Sequence, residues 1–106
     1  MISGSPLLAT IVTFHHTAET YDRERLEAIN RSTAPKYDGL AGLVSKAYWY
    51  DDTARENGGL YIWNDRSAAE ATHDEAHLAR LHELYGVKPG VRWLDVPVFV
   101  DNGNRG

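Results

Sequence analysis

A chain of 106 residues, 42% hydrophobic and 25% charged, has the size and balance of one globular domain that buries its core without cross-links. Its net charge of −4 and its scattered Lys and Arg exclude a nucleic-acid surface, which needs clustered cations. The absence of cysteine excludes disulfides, thiolate metal sites and cysteine nucleophiles.

Residues 1–6 read as a short leader of small residues, without the basic and hydrophobic regions of a signal peptide. No apolar run approaches membrane-spanning length, so the expected location is cytoplasmic. Leu7 to His15 is a strong first strand with two faces: Leu8, Thr10, Val12 and Phe14 on one, Leu7, Ala9, Ile11 and Thr13 on the other. Neither face is polar enough to meet water comfortably. Thr17 to Thr20 marks a helix start, with Glu19, Asp22 and Glu24 near the positive end of the helix dipole. Leu26 and Ile29 supply the inward stripe, and Pro35 predicts an end near Ala34. Asp38-Gly39 signals a turn in the following loop.

Val44, Ala47, Tyr48, Trp49 and Tyr50 predict a second strand, and Leu60 to Trp63 a third. Gly58-Gly59 gives the backbone freedom for a bulge or turn where this hairpin closes. Ser67 and Glu70 have the spacing of a capping box, opening a helix expected from about Ala68 to Tyr85. Its apolar stripe is Ala71, Leu78, Leu81, Leu84 and Tyr85, and Gly86 is its stop. Arg92 to Asp101 is the last strand, placed at a sheet edge because Pro97 cannot donate a ladder bond. Residues 7–102 therefore form a single domain, with a polar tail over 103–106.

The order βαββαβ defines an α+β, ferredoxin-like arrangement: a four-stranded antiparallel sheet with two helices on one face. The opposite face also carries large apolar side chains, more than a monomer usually exposes. A homodimer packed sheet to sheet, closing a barrel with the helices outside, is the expected resolution.

The runs GLVSKAYWY (42–50), ENGGLYIWNDRSAAEA (56–71) and HLARLHELYGV (77–87) resemble the YdhR-like proteins of the dimeric α+β barrel superfamily. The likeness lies in the Gly58-Gly59-Leu60-Tyr61 strand, the helix start at Asp65 to Ala68, and the His77-Leu78-Ala79-Arg80-Leu81 segment, and spans residues 7 to 102. It implies a dimeric barrel and a group described as monooxygenases by analogy. Superfamily relatives include cofactor-independent oxygenases of polycyclic phenols, polyketide cyclases and isomerases. The asparagine expected beside the oxygen-activating tryptophan of those oxygenases falls near Gly59, which has no side chain.

His77 is the first candidate base, because the resemblance implies a pocket histidine on that helix and imidazole can remove a phenolic or α-carbonyl proton near neutral pH. His73, four residues earlier on the same predicted helix face, is the second catalytic candidate. The sequence His73-Asp74-Glu75-Ala76-His77 lacks the glutamate spacing of a metalloprotease helix, so no metal is expected. For substrate binding the candidates are His16, on the face of Val12, and the aromatics Trp49, Tyr61, Trp63 and Trp93, which share a face if strand alternation holds. Tyr48 and Tyr50 take the opposite parity, towards the dimer partner. No cofactor fingerprint is present. The expected function is a cofactor-independent oxygenase of an aromatic or polyketide-like phenol. A cyclase or isomerase using the same proton abstraction, or a non-catalytic small-molecule-binding protein, are the alternatives.

Overall fold

The computed structural model describes residues 2–3 and 6–103. Its elements are β1 (Ile2–Ser3), β2 (Leu7–His15), α1 (Arg23–Tyr37), β3 (Leu43–Asp51), β4 (Glu56–Trp63), α2 (Arg66–Thr72), α3 (Glu75–Tyr85), β5 (Pro89–Val96) and β6 (Phe99–Val100). The main sheet has the order β3-β4-β2-β5 with every neighbour antiparallel, which is the ferredoxin-like arrangement. A two-stranded ribbon pairs β1 with β6. Part of the expected leader is thus a strand, while residues 1, 4 and 5 of it and most of the expected tail lie outside the described residues. Among the described residues no helix is long and apolar enough to cross a membrane.

The register decides what reaches the core. Leu8 is opposite Trp63, Thr10 opposite Tyr61 and Val12 opposite Gly59, so these residues share one face. That face, with Phe14, packs on Leu26 of α1, Ala69 of α2 and Tyr85 of α3. Leu26, Trp63 and Ala69 are fully buried. At roughly 25 cal/mol per Å² of apolar surface, this layer supplies most of the driving force for folding.

Several sequence expectations are corrected here. Helix α1 starts later, because Thr17 and Thr20 bond each other's backbone N–H (2.9 and 3.3 Å) and close a turn, leaving Asp22 to cap Arg25 N–H. It also runs on to Tyr37: Pro35 sits in the last turn, where its carbonyl accepts from Asp38 N–H. The cap of α2 is Asp65, which accepts from both the backbone N–H and the hydroxyl of Ser67, so Ser67 is not itself the cap. Strand β5 begins at Pro89 and stops before Pro97, and it is an edge strand as expected.

Gly58 and Gly59 lie within β4, opposite Trp49 and Tyr48, and the chain instead turns between β3 and β4 through Arg55 in the left-handed region (φ 56°). The glycines serve packing. A Cβ on Gly58 would come within 1.8 Å of the Val12 carbonyl oxygen and 2.7 Å of the Trp49 ring.

Strand β3 carries a register irregularity between Leu43 and Ser45, after which Lys46 is opposite Tyr61, Tyr48 opposite Gly59 and Tyr50 opposite Asn57. Lys46, Tyr48 and Tyr50 therefore face the helices. Tyr48 O–H meets the Thr33 hydroxyl at 2.9 Å, and Tyr50 O–H accepts from Asn30 at 2.6 Å. The expectation that these tyrosines face outward is overturned, and Trp49 takes the opposite face in their place.

Candidate active site

The predicted single helix breaks at His73-Asp74. His73 ends α2, its N–H bonded to the Ala69 carbonyl, and Asp74 caps α3 by accepting the backbone N–H of His77 at 2.9 Å. Aspartate competes well for such orphan donors, and a new helix starts wherever it does so. The two histidines are consequently not stacked one turn apart on a common helix face. The break turns His73 into the core and leaves His77 half-exposed, and both line one cavity of about 200 Å³ between α1, α3 and the sheet.

His73 is 8% exposed and sits within an aromatic shell. The rings of Tyr61, Trp63 and Trp93 meet its imidazole edge-on at 4.9, 5.8 and 5.9 Å between centroids. Nε2 is 2.7 Å from the Thr10 hydroxyl, which also accepts Trp63 Nε1–H at 2.9 Å. Nδ1 is buried and has no hydrogen-bond partner among the described residues. Burial, reinforced by the positive charge of Lys46 and by His77, pushes the imidazole down to about 4, so His73 is neutral at pH 7.

His77 has a different setting. Its Nδ1 donates to Asp74 Oδ1 at 2.6 Å, which leaves Nε2 as the lone-pair nitrogen. The bonds from His77 hold the Asp74 carboxyl below the usual carboxylate range. Tyr61 and Tyr37 wall the cavity beside it, and burial raises both phenols. Lys36 and Arg80 line the same cavity.

Lys46, Tyr37, Asp74 and Thr10 were not singled out from sequence. The signal for Lys46 was a lone cation in an aromatic strand. Its ammonium lies 3.4, 4.1 and 4.5 Å from the ring centroids of Tyr37, Tyr48 and Tyr61. Burial and neighbouring Lys36 lower it to about 7.

Of the predicted substrate-binding residues, Tyr61 lines the cavity and Trp63 is buried beneath His73. Trp93 is 38% exposed, between His73 and the Arg66 guanidinium. Trp49 is on the opposite sheet face, over Gly58, so the expected four-aromatic wall loses one member. His16 does face the helices but belongs to a separate cluster at the other end of β2. There Nε2 meets Asn57 Oδ1 at 2.6 Å and Nδ1 meets the Thr20 hydroxyl at 3.1 Å. No group of three or more His, Asp or Glu among the described residues could hold a metal ion.

The sheet order and the helix layer define an α+β protein with a ferredoxin-like fold. Protein SO0527 from Shewanella oneidensis superposes with a TM-score of 0.67 at 17% identity, covering 94% of this chain and 98% of that one. A Caulobacter crescentus CB15 protein, described as a candidate antibiotic biosynthesis monooxygenase, gives 0.65 at 12% identity over 88% and 92%. SnoaB, a cofactor-independent oxygenase from Streptomyces nogalater, gives 0.54 at 15% identity over 94% and 96%. At these identities the likeness is one of fold. No protein-family model and no curated protein matches the sequence.

Proposed function

We propose that this chain is a cofactor-independent monooxygenase of an aromatic or polyketide-like phenolic substrate, with His77 as the base. The observation that carries the reading is the Asp74–His77 pair, 2.6 Å apart, on a cavity walled by Tyr37 and Tyr61. A carboxylate on Nδ1 orients the ring and stabilises the imidazolium that forms when Nε2 takes a proton. His73 is buried and neutral, too weak a base for that step, and serves as part of the cavity wall.

For the ring methylene of a naphthol's keto tautomer, His77 Nε2 removes one C–H proton and the aromatic system delocalises the carbanion. The carbanion passes one electron to dioxygen, and the carbon radical and superoxide combine into a peroxide, which takes the proton back from His77. Loss of the second C–H proton with cleavage of the O–O bond then releases water. The balance is R₂CH₂ + O₂ → R₂C=O + H₂O, and dioxygen is the only oxidant required. The fold shared with SnoaB supports this reading.

The reading includes a homodimer through the sheet face turned away from the helices. Ile11, Ala47, Trp49, Leu60 and Leu94 share that face, and Leu60 is 40% exposed. Such a patch is seldom left to water.

Oxygen uptake by metal-stripped protein, with a panel of phenols, anthrones and dihydronaphthalenes, tests the proposal. Saturable uptake that disappears in His77→Ala supports it. Quenching of tryptophan fluorescence without uptake from any compound overturns it in favour of a cyclase or a binder.

A further inference from the structure

The proposed cavity is lined by Lys36, Arg80, His73 and His77 and, among the described residues, by no carboxylate, although the chain has 15 acidic residues against 11 basic ones. Behind its Tyr37 and Tyr61 walls stands Lys46, largely buried, with no carboxylate within ion-pairing distance among the described residues. Lys36 and Arg80 likewise have no ion-pair partner among the described residues. Two acids lie nearby. Asp74 is already engaged by the ring and backbone of His77, and exposed Asp38 lines a separate hollow on the outer side of Lys46.

An unpaired cation out of water is costly, and folded chains ordinarily pair it. The surrounding tyrosine faces offset part of that cost through cation–π contacts. They do not supply a negative charge. The repulsion is visible in the protonation equilibria: Lys36 disfavours the charged form of Lys46, and Lys46 and His77 disfavour that of His73. An anion in the cavity relieves every one of these repulsions at once.

We infer that the ligand of this cavity is an aromatic carboxylate of one or two rings, its acid group held by Lys36 and Arg80 at the mouth and favoured by Lys46 behind the tyrosine wall. The size follows from the volume: a cavity of about 150 Å³ accommodates a benzene ring, and this one measures about 200 Å³. The inference rests on the proposed reading of the cavity as the substrate site and narrows the substrate to an acid.

Calorimetric titration of the intact protein with 1-hydroxy-2-naphthoate and with its methyl ester, at pH 7.5 and low salt, separates charge from shape. The expected result is a carboxylate affinity at least about tenfold above that of the ester. The preference should shrink in about 0.5 M salt. It should also be lost in the surface double variant K36Q/R80Q, reduced in Lys46→Met and retained in Lys46→Arg. Equal or tighter binding of the ester, binding of neither compound, or a preference unchanged in K36Q/R80Q and Lys46→Met overturns the inference. The readout is independent of turnover. Tight, charge-dependent binding of the acid without oxygen uptake would sustain this inference while sinking the oxygenase.

Discussion

Thr10 and His73, 63 residues apart in the chain, meet at 2.7 Å, and the same Thr10 hydroxyl accepts the indole N–H of Trp63 at 2.9 Å. One buried oxygen thus fixes both the histidine and the tryptophan beneath it. Thr10→Val keeps the shape and removes the oxygen, stranding two buried polar groups. The expected cost is roughly 2–4 kcal/mol, read as a lowered urea midpoint at unchanged m-value. Thr10→Ser should recover most of it. A change within about 0.5 kcal/mol would show that the hydroxyl is dispensable.

Protonation of His73 should weaken the fold. Its folded value is about 4 against an ordinary 6.5, so between those limits the unfolded chain binds a proton that the native chain refuses. Stability contributed by the neutral ring is complete above pH 6.5, declines as the pH falls to 4, and is lost below that. The ceiling is about 3 kcal/mol. Chemical denaturation across this range, compared between the wild type and His73→Gln, isolates the contribution. Parallel profiles would rule it out.

Gly58 should tolerate no side chain. An added Cβ meets the Val12 carbonyl oxygen at 1.8 Å, and backbone in the sheet centre cannot move aside. Gly58→Ala should cost about 3 kcal/mol, the upper end for overpacking. Gly39 is a fair control, because it has a positive φ of 75° but open space around it. Gly39→Ala should cost only the left-handed conformation, about 1–2 kcal/mol. Thermal melts of the two variants should rank accordingly, and equal losses would contradict the packing argument.

If the open sheet face holds a second copy, Leu60→Glu should leave the secondary structure intact and halve the mass measured by light scattering. The side chain is 40% exposed in the single chain, so a monomer can hydrate the new carboxylate. In a sheet-to-sheet dimer it would be buried without a partner. A wild-type mass of 11.9 kDa, that of one chain, would dismiss the dimer outright.

Much of the layout was legible in residue patterns. Alternation in Leu7–His15 marked a strand with two apolar faces, and the apolar spacing of Leu81, Leu84 and Tyr85 before Gly86 marked the end of the last helix. His77 was singled out through the resemblance of its segment and Tyr61 through strand alternation, and both line the cavity. The aromatic wall was less legible. Trp49 and Tyr61 look alike by counting, but their relative parity depends on how β3 pairs with β4, and the irregularity at Leu43/Ser45 sets that pairing. The helix break at His73-Asp74 was hidden because the apolar stripe on either side continues the same period. A single aspartate accepting from His77 N–H tips the balance between one helix and two.

By itself, then, the sequence determined the order of the four strands of the main sheet, the placing of helical segments between them, and the apolar faces. These follow from the short-range periods of backbone geometry. Only the tertiary structure decided that Lys46 rather than Trp49 faces the helices, that His73 is buried on Thr10, and that His77 is held by Asp74 at the cavity wall. Each of these depends on register or on contact between residues distant in the chain or on opposite sides of a break, and a one-residue slip in pairing turns every side chain of a strand to the other face.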